Sequence, residues 1–263
     1  MKYKFVFAII ALLLLVSFSF YRNRYLILQS FDYLELATDI NSYSESPENT
    51  PLSEESSADS VMETNESIPP ELKRAVPFIS QAPFGVWNDF YDEMCEEASM
   101  IIVDAWLAKD SRPTLDAQEV DLKLKEISAY EKNRFGTDIS TSIGNAKTTL
   151  VEFFGLKDEQ LQLIDVPNED TLRKLLNEGL IIAPFSGKAL NNPNFRNGGP
   201  RYHMLVITGY REDIFITHDV GTRKGAGYEY STKVILEAMH DFVPESAGDI
   251  TQGAKTVLLV KDI

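Results

Sequence analysis

The sequence predicts an α+β domain in the larger, C-terminal part of the chain, with helices first and a mainly antiparallel sheet after them. Three observations carry this. Ala98, Ile101, Ile102, Ala105 and Trp106 recur at helical spacing and give one apolar face. Residues 180–185 and 202–210 are short apolar runs, the second rich in β-branched side chains, and read as buried strands. A third run, residues 214–219, follows through Arg211-Glu212-Asp213 and makes a hairpin with the second.

Taken in order, the first helix has Cys95 in its opening turn. Ser111-Arg112-Pro113-Thr114 is a break. A second helix covers residues 117–135, with Val120, Leu122, Leu124, Ile127 and Tyr130 as expected core and Gly136 as its stop. Thr141-Ser142-Ile143-Gly144 opens a third helix that runs to about Phe154. Residues 161–164 read as a short strand. Asn168 or Asp170 caps a helix over residues 171–177, which Gly179 ends. Residues 186–201 form a long loop, rich in asparagine, that leads into His203 and rims whatever site lies there. Tyr228-Glu229-Tyr230 is a further strand. Ser231 or Thr232 caps a helix to about Met239, and residues 256–260 close the sheet.

The 263 residues are 44% hydrophobic, enough for a substantial core, and carry a net charge of −15. That acidity excludes a nucleic-acid partner, because a phosphate backbone needs a basic surface. Lys2 and Lys4 precede an unbroken apolar run, residues 5–20. As a helix it spans roughly 24 Å, short of a bilayer core of about 30 Å. Tyr3 and Tyr21 as interfacial anchors close most of the gap. The run is an uncleaved membrane anchor or a signal peptide cut after Ser19. Either reading places the rest outside the cytoplasm. Residues 41–70 are dominated by Ser, Glu, Asn, Thr and Pro and cannot bury enough surface to fold. The expected organisation is therefore an anchor or signal peptide over residues 1–24, a juxtamembrane stalk and acidic linker over 25–74, and a folded, monomeric domain over 75–263.

Cys95 is the only cysteine, so no intrachain disulfide forms. At a helix start the dipole and free backbone N–H groups favour its thiolate. Glu96 and Glu97 suit a helix N-terminus; whether they repel an acidic substrate or raise the thiol pKa against the dipole is not signed by the sequence. A base comes from His203, His218 or His240. His203 opens the first hairpin strand and Asp219 ends the second, so antiparallel pairing makes them neighbours. A carboxylate there orients the imidazole and stabilises its charged form. His218, adjacent to Asp219, points to the opposite face. His240 follows a helix and is expected to make a C-terminal dipole contact. The histidines and cysteine occur at no zinc-ligand spacing, and no cofactor is expected. Trp87 lines a substrate groove or, as is commoner, anchors a loop or core.

These stretches resemble the C39-like cysteine peptidases, a papain-related family. The matching pieces are Val76-Pro77-Phe78-Ile79-Ser80-Gln81-Ala82-Pro83, Cys95-Glu96-Glu97-Ala98-Ser99 opening a helix, residues 202–210, and residues 218–225 beginning His218-Asp219-Val220-Gly221. The resemblance covers residue 75 to the C-terminus. It implies a papain-like fold, with a nucleophile helix packed on the sheet, and hydrolysis of a peptide or protein substrate through an acyl enzyme. It also implies Cys95 as nucleophile, His203 as base, Asp219 as its orienting group and Gln81 in the oxyanion hole. Two departures stand out. Gln81 lies farther upstream of the cysteine than in papain-like enzymes generally, and Asn-Asp-Pro-Gly, common in such proteins, is here His218-Asp219-Val220-Gly221. Two other readings stay open: a non-catalytic extracytoplasmic binding domain, and a cell-wall amidase or acyltransferase using the same residues.

Overall fold

The computed structural model describes residues 68–166, 168–245 and 248–263. The N-terminal apolar run, the stalk and most of the acidic linker lie outside the described residues. No helix among the described residues is long and apolar enough to cross a membrane.

Among the described residues seven strands form one sheet: β1 (Glu71–Lys73), β2 (Leu161–Asp165), β3 (Gly179–Phe185), β4 (His203–Arg211), β5 (Ile214–His218), β6 (Tyr228–Ser231) and β7 (Thr256–Lys261). The order is β2-β7-β3-β4-β5-β6, with β1 pairing the far end of β4, and every pairing is antiparallel. β1 joins the sheet upstream of residue 75, where the domain was expected to begin. Among the described residues six α-helices accompany the sheet: α1 (Cys95–Leu107), α2 (Ala117–Phe135), α3 (Ile143–Glu152), α4 (Glu169–Glu178), α5 (Gly187–Leu190) and α6 (Thr232–Ala238). The architecture is the α+β arrangement expected, with α1 packed against the sheet.

Both faces of the sheet are covered, which is why its central strands read as continuous apolar runs. Period-2 alternation divides them. Leu180, Ile182, Met204, Val206, Leu258 and Val260 join the core under α1, α2 and α3. Ile181, Ala183, Leu205, Ile207, Val257 and Leu259 face the core under α4 and α6. A one-residue slip in any of these strands exchanges the two sets.

Local chemistry explains the helix limits. Asp116 caps α2 by accepting from the Gln118 and Glu119 amides, and Gly136 ends it at φ 81°, a left-handed turn that favours glycine. Ser142 caps α3, Asn168 caps α4 and Ser231 caps α6. Leu122 departs from expectation. It is 62% exposed, because the buried face of α2 runs through Val120, Leu124, Ile127 and Glu131, and Leu122 lies on its far side. The loop before His203 is not without secondary structure. It holds α5 and a 3-10 turn at Arg196–Gly198.

Sheet closure is shared between two distant segments. β7 pairs with β3 from Gly179 to Ile182, between β3 and β2. Beyond it, the chain after α6 takes over: Ser186 donates to the Ala238 carbonyl at 2.7 Å and His240 to that of Pro184 at 3.1 Å. Pro184, which has no N–H to give, therefore stands where the β7 ladder has ended.

Candidate active site

β4 and β5 place the histidine and the aspartate. The pairing Val206–His218 runs the end of β5 toward the start of β4, with an irregularity between Ile207 and Gly209. Asp219 then meets His203, Nε2 to Oδ1 at 2.8 Å, with both side chains almost fully buried. The other Asp219 oxygen accepts from Tyr230 Oη at 2.5 Å and Asn192 Nδ2 at 2.9 Å. The Gly221 amide donates to Oδ1 at 3.0 Å. Burial alone raises a carboxyl pKa, but here the His203 charge and these donors outweigh it and hold Asp219 below the usual range. An ionised Asp219 accepts a hydrogen bond from Nε2–H, which leaves Nδ1 as the basic nitrogen of the ring.

Gly221 and Phe195 fix the plane of that ring. Phe195 meets His203 edge to face, with centroids 5.3 Å apart. A Cβ at Gly221 would stand 2.8 Å from His203 Cε1 and 2.9 Å from Phe195 Cε1. Gly221→Ala is therefore expected to tilt the imidazole. The cost is about 1–3 kcal/mol of stability, with a loss of Cys95 reactivity toward iodoacetamide. Unchanged melting and alkylation would show that the ring is not held from this side.

Cys95 begins α1 as expected, after a 3-10 turn at Tyr91–Glu93 and an N-cap, Met94, that offers no side-chain acceptor. Its sulfur sits against the backbone of Met204, the residue after His203. Its hydrogen bond runs to Glu96 Oε2, at 2.9 Å. Burial, then the Glu96 carboxylate, push the thiol well above its ordinary pKa, against both the helix dipole and the Met204 contact. The dipole was expected to favour the thiolate. In this conformation, desolvation of a residue only 5% exposed wins.

The Cys95 and His203 side chains line two neighbouring cavities. His203, Gln81, Trp87, Phe195 and Gly221 line one of about 230 Å³. Cys95, Glu96, Tyr202 and Phe242 line another of about 380 Å³. Asp92, Glu93 and Pro200 border both. Gln81 thus reaches the histidine cavity, but its Nε2 donates to the carbonyls of Tyr91 at 2.8 Å and Asp92 at 3.1 Å. Both amide hydrogens are committed to the turn ahead of Cys95, and Gln81 Oε1 is buried without a partner among the described residues. Trp87 lines the histidine cavity while packing on the core under α1.

His218 points away as expected: Nε2 meets the Val76 carbonyl at 2.9 Å, and Nδ1 accepts from the Gly227 amide at 3.1 Å. His240 differs from expectation. Its Nδ1 meets the Gly253 carbonyl at 3.1 Å instead of a helix end, because the residue before it already departs from helical geometry. Among the described residues no group of three His, Cys, Asp or Glu is arranged to hold a metal ion.

Sequence reasoning missed Asn192 and Tyr230. Tyr230 shares the period-2 face of β6 with Tyr228, a usable signal once β6 is placed beside β5. Asn192 carries no local signal that separates it from the other asparagines of its loop.

No family model matches this chain, and no curated protein matches it. Among solved structures, it is similar to the crystal structure of a candidate C39-like peptidase from Bacillus anthracis, at 13% identity and a TM-score of 0.44, covering 72% of this chain and 96% of that one.

Proposed function

We propose that this chain is a cysteine peptidase of papain-like fold that works outside the cytoplasm, anchored or exported through its N-terminal apolar run. The observation that carries the reading is the buried His203–Asp219 pair at 2.8 Å, one residue from the backbone that meets the Cys95 sulfur. A histidine whose Nε2 is held by a clamped carboxylate has its other nitrogen free to work as a base.

The steps follow. The Cys95 proton passes to His203 Nδ1, and the sulfur attacks the carbonyl carbon of a peptide bond. The Cys95 backbone N–H, at the open end of α1, stabilises the oxyanion. Gln81 joins it once its amide leaves the Tyr91 and Asp92 carbonyls. Such a donor is worth about 3 kcal/mol. His203 gives its proton to the leaving amine, and a water activated by His203 releases the acyl group.

The test is hydrolysis of a mixed peptide library by the full-length protein and by Cys95→Ala. Cleavage is expected from the wild type and none above background from the variant. Equal cleavage by both sinks the proposal. One observation favours a second reading, a binding domain on the same scaffold: the thiol is buried and bonded to Glu96. A wild type that cleaves no peptide and whose Cys95 resists alkylation at every pH supports that reading instead.

A further inference from the structure

Directly behind the Cys95 sulfur lies a group of carboxyls that the proposed steps do not use. Glu96 is 2% exposed, Glu97 1% and Glu131 0%. Glu96 Oε1 accepts from the Thr141 amide at 2.9 Å, which fixes the carboxyl and leaves Oε2 facing the sulfur. Thr149 Oγ1 donates to Glu131 at 3.0 Å. No described donor reaches either Glu97 oxygen, and a protonated Glu97 donates to Glu131 instead. Behind Tyr202 stands Asp241, and Glu93 and Glu245 lie on the rim of the cysteine cavity. Arg201 is the cation on that wall, and it is turned to the Gly248 carbonyl at 3.0 Å. Lys132, which follows Glu131 on α2, is paired with Asp138 at 2.9 Å.

We propose that Glu96, in its protonated form, donates a hydrogen bond to the Cys95 sulfur, and that once ionised it instead accepts the S–H hydrogen bond, which holds the thiol neutral and shuts the nucleophile off. This rests on the reading of Cys95 as a nucleophile. The proton balance is simple. When Glu96 is ionised, the S–H bond points at Oε2 and its proton is withheld from His203. When Glu96 carries a proton, its O–H donates to sulfur. The S–H proton then passes to His203 Nδ1, and the resulting thiolate keeps the Glu96 donor. Glu96 ends each turnover as it began it.

Burial, with Glu131 adding to it, raises Glu96 to about 8, so its titration falls in an accessible range. The acidic neighbours named above all favour the protonated form.

The experiment measures iodoacetamide alkylation of the full-length protein from pH 5 to pH 10, beside Glu96→Gln. Cys95 is the only thiol, so the rate is unambiguous. The wild-type rate is expected to fall about tenfold per pH unit above the Glu96 midpoint. Glu96→Gln, whose amide always donates, is expected to lose that fall and to exceed the wild type about tenfold one unit above the midpoint. A reactive thiol with the same profile in both overturns the role of Glu96 alone. A thiol inert at every pH in both overturns this role and the peptidase reading together. If Glu96→Gln does not fold, the wild type decides. Its infrared carboxylic-acid band must weaken over the same pH interval as the reactivity, and a band that does not change there overturns the proposal.

Discussion

Raising the pH from 4.5 toward 8 is expected to destabilise the folded protein, contrary to the usual behaviour of an acidic chain. Burial raises Glu96 to about 8 from 4.5, and it raises Glu97 and Glu131 as well. The unfolded chain releases these protons near the ordinary carboxyl pKa, while the folded chain keeps them. Between the two values the unfolded state binds fewer protons, so stability is full below 4.5 and falls as pH rises. The slope is about 1.4 kcal/mol per unit for each carboxyl that stays protonated. Asp219 has the opposite sign. Its depressed pKa contributes stability above the ordinary Asp value, which is lost as pH falls through its folded value. Urea unfolding at several pH values measures the sum, and Glu131→Gln separates the parts. That variant is expected to flatten the loss above pH 4.5 and leave the acid limb unchanged. A wild-type stability that rises from pH 4.5 to 8 would mean that the cluster is hydrated and ionised.

Asp219→Ala is expected to cost about 3–5 kcal/mol, the scale for removing one partner of a buried pair. Four donors lose their acceptor together: His203 Nε2, Tyr230 Oη, Asn192 Nδ2 and the Gly221 amide. The unsupported imidazole also becomes a weaker base, so alkylation of Cys95 falls with stability. Tyr230→Phe removes one donor of the four and leaves the carboxylate in place, so its cost is nearer 1 kcal/mol. Melting of both variants measures the ratio. Equal losses would place the clamp's stability in the tyrosine alone.

The sequence determined the helix limits and the hairpin because those rest on local chemistry. Asp116, Ser142, Asn168 and Ser231 are acceptors at the positions where amides need one. His203 and Asp219 were legible together because antiparallel pairing alone brings the two strand ends into register. Other features depend on what meets the residue from elsewhere in the chain. Leu122 looks like core until the direction of α2 is known. The thiol's protonation could not be signed from the run Cys95-Glu96-Glu97, since it turns first on burial under segments from elsewhere in the chain, with the Met204 backbone acting against it. Gln81 was placed at the site by resemblance, and its committed amide emerges only once the turn at Tyr91 and Asp92 is folded beside it.

The position of β7 has a consequence for how the protein is made. It lies between β2 and β3, so neither neighbour has its full set of ladder bonds until residues up to Lys261 have left the ribosome. Translation at about 5–20 residues per second leaves the earlier strands waiting for seconds with an unpaired, apolar edge. Until β7 threads into the middle of the sheet, the nascent domain therefore carries an edge prone to pairing with other chains.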